Sequence, residues 1–141
     1  MKEKEITTVK VEPMKEPVIA CLKNDLDSLQ KAVSIGAPEQ GLIEFVWLED
    51  NVSILCNEEG KLIGLEPNCR LGDDILCGVF YIVAENDEGE LISLTDLQQE
   101  RYSKMFRDPD LIFKDEVSRT VFSVFLGVDW HGIQDREQGR P

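Results

Sequence analysis

The segment NEEGKLIGL at 57–65 is nearly repeated as NDEGELISL at 86–94. Asn57 and Asn86, Glu59 and Glu88, Gly60 and Gly89, Leu62 and Leu91, Ile63 and Ile92, and Leu65 and Leu94 correspond at a constant offset of 29 residues. An Asn-acid-Glu-Gly tetrad between apolar runs suits a type I turn followed by a left-handed glycine, a common longer hairpin loop. Both segments are expected to be β-hairpins, with KLIGL at 61–65 and ELISL at 90–94 as the returning strands. Two copies are too few for a solenoid, which needs about three. Convergence on one turn solution explains the likeness, because turns draw on few residue types.

The rest of the chain reads as short strands and two helices. ITTVKVE at 6–12 and VIACL at 18–22 have strand character, with Pro13 and Pro17 bracketing the turn between them. Asn24 is the expected N-cap of a first helix, with Asp27 three residues on. Leu26, Leu29 and Val33 fall on one face of it, and Gly36 and Pro38 end it. LIEFVWL at 42–48 is a strand whose Ile43, Phe45 and Trp47 are expected to anchor the core. VSILC at 52–56 follows the turn at Glu49-Asp50-Asn51. EPNCRLGDDIL at 66–76 reads as loop. GVFYIVA at 78–84 is apolar throughout, which predicts a central strand covered on both faces. Thr95 and Gln98 form a capping box for a second helix from Asp96 to about Phe106, with Leu97, Tyr102, Met105 and Phe106 inward and Asp108-Pro109 as its stop. Residues 110–128 carry both helical spacing and strand composition, and the reading leans to helix.

These elements predict an α+β fold: a single domain, mostly an antiparallel sheet of hairpins packed by two helices, with a C-terminal extension. Residues 1–5 are expected to fray, 6–109 to form the domain, 110–132 to pack on the domain or on a partner, and 133–141 to be a polar tail. The 141 residues match the size of one ordinary domain.

The net charge of −13 is uneven. Residues 1–16 carry four Lys and four Glu, whereas 44–96 hold thirteen acids against Lys61 and Arg70, a balance of −11. That argues against direct nucleic-acid binding, which needs a basic footprint, and against anionic membranes. With neither a secretory leader nor a long apolar run, a cytoplasmic location is expected. Cys21, Cys56, Cys69 and Cys77 form no CxxC pair, and His131 is the lone histidine, so free thiols and no zinc site are expected.

No phosphate-cradling loop, nucleophile elbow or HExxH motif is present. Both acidic turns fail as calcium loops, because an EF-hand register puts Leu55 or Ala84 at the first ligand position. No catalytic residue, metal or cofactor is expected. The candidate binding residues are the turn acids Glu58, Glu59, Asp87 and Glu88, together with Asn68, Arg70, Asp73 and Asp74. Arg70 has the geometry to clamp a phosphate or carboxylate. The competing reading is that it neutralises Asp73, Asp74 or Glu66 and staples a loop. The carboxylates are equally explained as a solvated face.

The ordered segments IEFVWLEDNVSILCNEEGKLIGLEPNCR and GVFYIVAENDEGELISLTDLQQERYSKMF, with DSLQKAV at 27–33, resemble the domain-of-unknown-function family three-eight-four-six. The resemblance covers about residues 6–109. Cys69 stands between Asn68 and Arg70, where the family pattern usually has Asn followed by Arg. The resemblance implies no catalytic residues. It implies genes carried by phages, plasmids and conjugative elements, often among anti-restriction genes. The function expected on that basis is non-enzymatic inhibition of a host defence factor through an acidic surface, the partner being a host or phage protein with a basic surface. A DNA mimic is one version. A nucleotide-signal sponge, a structural or regulatory module and a homodimer are the alternatives carried with it.

Overall fold

A computed structural model describes residues 2–71 and 74–107. Its elements are β1 (Glu5–Val11), β2 (Val18–Lys23), α1 (Leu26–Ala32), β3 (Ile43–Glu49), β4 (Val52–Asn57), β5 (Pro67–Leu71), β6 (Asp74–Cys77), β7 (Phe80–Glu85), β8 (Leu91–Ile92) and α2 (Asp96–Met105). The fold is α+β, with a mostly antiparallel sheet and two helices, as the sequence predicts.

The main sheet runs β2-β1-β7-β4-β3, and β8 pairs with the end of β7. Every pairing is antiparallel. Strand β7 is central and buried from Phe80 to Ala84. Its side chains alternate between two cores, as the period of a strand requires. Phe80, Ile82 and Ala84 join Val9, Val11, Ile54 and Leu48 beneath Tyr102, Met105 and Phe106 at the end of α2. Tyr81 and Val83 join Ile6 and Leu55 beneath Leu29 and Val33 on the α1 side. The Phe80 and Phe106 rings meet edge to face, with centroids 5.5 Å apart. Such a pair adds about 1 kcal/mol beyond its burial.

Several expectations are corrected. Residues 61–65 do not return as a strand; they continue a turn, and Leu62 is 84% exposed. Residues 66–76 are not loop: β5 and β6 pair antiparallel as a separate two-stranded sheet. That hairpin buries Cys69 and Leu71 in the α2-side core, so tertiary burial outweighs its turn-forming residues. Asp25, not Asn24, caps α1, its carboxylate accepting from the Ser28 amide at 2.8 Å. Asn24 is buried and donates its amide to the carbonyls of Glu3 and Leu91, at 2.9 and 3.4 Å. The Asn24 backbone N–H also donates to the Lys4 carbonyl at 2.8 Å, which ties residues 3 and 4 to the start of α1. Leu26 and Leu97 face outward, and Phe45 is half exposed. The capping box of Thr95 and Gln98 is formed as expected. The expectations for 108–141 lie outside the described residues.

Candidate functional site

The two acidic turns begin with the same local chemistry. Asn57 Oδ1 accepts from the Glu59 amide at 2.8 Å, and Asn86 Oδ1 accepts from the Glu88 amide at 2.9 Å. Each asparagine carbonyl then accepts from the glycine three residues on, Gly60 at 3.3 Å and Gly89 at 3.0 Å. These are Asx-turns, in which a short side chain substitutes for a backbone turn.

The fold sends the two turns to opposite ends of the sheet. Strands β4 and β7 lie side by side and antiparallel, with Val52 opposite Ala84 and Leu55 opposite Tyr81. The NEEG turn leaves the far end of β4, and the NDEG turn leaves the far end of β7. The six residues of β4 span roughly 17 Å at strand rise. The turn acids Glu58 and Glu59 are therefore separated from Asp87 and Glu88 by the length of the sheet's central strands.

At the NEEG end, Glu58 and Glu59 are exposed, Glu44 projects from β3 beside Cys56, and Asp74 begins β6. They line a shallow cleft of about 260 Å³ together with Lys61 and Cys77. Lys61 pairs with Asp74 at 2.7 Å, which leaves the other carboxylates unneutralised among the described residues. Burial raises the Glu44 carboxyl above the ordinary glutamate value of 4.5, and the charges of Glu58 and Asp74 push it the same way. Burial likewise raises the Cys77 thiol. No group of three or more His, Cys, Asp or Glu among the described residues is placed to hold a metal. The cleft is smaller than the roughly 300–1,000 Å³ of small-molecule pockets, and its lining suits a cationic side chain rather than a phosphate.

At the NDEG end, Asp87 and Glu88 are exposed at the tip of the β7–β8 hairpin. Asn86 Oδ1 also accepts from Glu90, and the Asn86 amide donates to the Glu90 carbonyl at 2.9 Å, closing a true hairpin.

The remaining candidates separate. Asn68 is buried in β5 and donates its amide to the carbonyls of Val11, at 2.9 Å, and Gly78, at 2.8 Å. It staples the β5–β6 hairpin to the main sheet and is not presented to a ligand. Arg70 is exposed on β5 opposite Ile75 and makes no ion pair among the described residues. Asp73 lies outside the described residues. Asn68 is thus engaged within the fold, while Arg70 is exposed.

Sequence reasoning missed a buried ionic clamp. The Glu49 carboxylate is 5% exposed, accepts from the Tyr102 hydroxyl, and receives Arg101 through Nε at 3.0 Å and Nη2 at 3.2 Å. It fixes α2 to the end of β3 and raises the Tyr102 phenol, mainly through burial. Glu49 reads in sequence as a turn residue. The bulge between Trp47 and Glu49 re-aims it inward.

No helix among the described residues is long and apolar enough to cross a membrane. No curated protein and no solved structure matches the chain. A family model described as a domain of unknown function (DUF3846) matches residues 6–107, from the first strand to the end of α2. The chain belongs to this DUF3846 family.

Proposed function

We propose that this protein is a non-enzymatic, cytoplasmic accessory protein that binds a basic partner protein through the NEEG end of its sheet. The contacting acids are Glu44, Glu58, Glu59 and Asp74. The observation that carries this reading is the gathering of Glu44, Glu58, Glu59 and Asp74 around one cleft, where Lys61 is paired with Asp74. A cationic partner group relieves the repulsion among them on binding. The resemblance to proteins of mobile elements makes a host defence factor the proposed partner. The division of the turn acids between two ends favours a compact charged contact over imitation of duplex DNA, whose charge runs continuously at about one per 1.7 Å.

The reading is tested by capturing partners from a bacterial host on the immobilised chain and measuring binding of the purified partner against salt. Affinity is expected to fall steeply from low to moderate salt, because exposed charges are screened over about 10 Å at 0.1 M. Binding indifferent to salt contradicts the electrostatic contact.

A further inference from the structure

The two edges of the sheet are built differently. Edge β3 is blunted: it carries Glu44 and Glu49, breaks register between Trp47 and Glu49, and ends at Asp50 with φ +45°. Charges and bulges of this kind discourage strand addition. Edge β2 has no such device. It pairs with β1 in unbroken register from Lys23 opposite Glu5 to Val18 opposite Lys10. Its sequence is VIACLK, charged only at its last residue, and Val18, Ile19 and Cys21 are exposed. Among the described residues its outer edge pairs with no strand. A regular apolar edge with unpaired N–H and C=O groups is a template for another strand.

Charge selects the occupant. Glu16 lies just before β2 and Lys23 closes it. Both are exposed, and neither forms an ion pair among the described residues. Antiparallel pairing of β2 with β2 of a second copy brings Lys23 of each copy toward Glu16 of the other. Residues 1–23 carry five Lys and four Glu, so two copies meet there without the repulsion of the acidic block. We propose that two copies of this chain associate through β2 about a two-fold axis at Ala20, which sets Lys23 of each copy opposite Pro17 of the other, beside Glu16, and makes one continuous sheet. This goes beyond the acidic-end reading and does not rest on it.

An edge-to-edge contact is smaller than the roughly 1,200–2,000 Å² of stable complexes, so dimerisation in the micromolar to millimolar range is expected. Sedimentation of the full chain across that range measures it. Ile19→Lys, at a half-exposed position, is expected to weaken association at least about tenfold with unchanged circular dichroism and Tm. Lys23→Glu is expected to weaken it about fivefold, and Lys23→Glu combined with Glu16→Lys to restore it. A monomer at every concentration overturns the proposal, including one whose Cys21 resists alkylation, because the edge then belongs to another part of the same chain. A dimer untouched by Ile19→Lys, or a charge swap that fails to restore association, also overturns it.

Discussion

At Asn57 and at Asn86 the chain makes the same first move, an Asx-turn leading into a glycine, and then takes different routes. After Asn86, Gly89 adopts φ +80° and the chain folds back as β8. After Asn57, the chain continues through one helical turn. Ile63 donates to the Glu59 carbonyl, Gly64 to Lys61 and Leu65 to Gly60, at 3.0, 3.3 and 3.0 Å. The last two bonds, with Gly64 at φ +76°, are those of a Schellman motif ending a helix. Where the first segment has Gly64, the second has Ser93, whose amide and hydroxyl bond the Glu3 carboxylate instead. The two routes part at the shared glycine itself, since Gly89 is left-handed and Gly60 is not. Near-identical local sequence thus sets the start of a turn, while its end follows the surroundings: a Cβ at Gly60 would meet the Cys77 carbonyl, and one at Gly89 would meet nothing within 4 Å.

The glycines and asparagines of the two turns give the largest ways to break this comparison. A Cβ at Gly60 would stand 2.7 Å from the Cys77 carbonyl oxygen, a backbone atom that cannot swing aside. Gly60→Ala is expected to cost about 3 kcal/mol in urea unfolding, the upper range of overpacking. Next come the paired asparagines. Asn57 is buried, and its amide also donates to the Val33 carbonyl at 3.3 Å. Asn57→Ala is expected to cost about 2 kcal/mol and Asn86→Ala about 1 kcal/mol, since only the first leaves a buried carbonyl unpaired. Equal costs would mean that the tertiary bonds of Asn57 add nothing. Gly64→Ala meets no neighbour within 4 Å and is expected to cost about 1 kcal/mol from left-handed strain alone.

The smallest effect is electrostatic. The Glu44 carboxyl is raised in the folded state above its ordinary value of 4.5. A raised carboxyl favours folding below its unfolded value and loses that contribution as pH climbs through the folded value. Glu44→Gln is therefore expected to stabilise the protein near pH 7 by about 0.3 kcal/mol after solvent screening, with the gain vanishing below the ordinary value. Thermal unfolding at pH 7 and at acid pH checks the sign.

These contrasts also mark what was legible in the sequence. Strand β7 was readable because FYIVA is apolar on both faces, and α2 because Thr95 and Gln98 announce a capping box. The β5–β6 hairpin was not, because Pro67, Asn68, Gly72 and Asp73 are turn-formers and its stability comes from Asn68 reaching Val11 and Gly78. KLIGL was misread because it copies ELISL, although Gly64 was the available signal. The placement of the acids was hidden for another reason. It depends on β4 and β7 becoming antiparallel neighbours across an intervening hairpin, which no local pattern records. The clamp of Glu49 with Arg101 and Tyr102 was hidden likewise, by a bulge.

The functional difference between the two ends is open to one direct comparison. Two full-length variants are needed, one carrying Glu44→Gln, Glu58→Gln and Glu59→Gln at the NEEG end, the other Asp87→Asn and Glu88→Gln at the NDEG end. Their affinity for the captured partner is measured against wild type at low salt. Loss of binding by the NEEG variant with near-normal binding by the NDEG variant is the predicted result. Equal losses, or a loss confined to the NDEG variant, would contradict the assignment of the contact to the NEEG end.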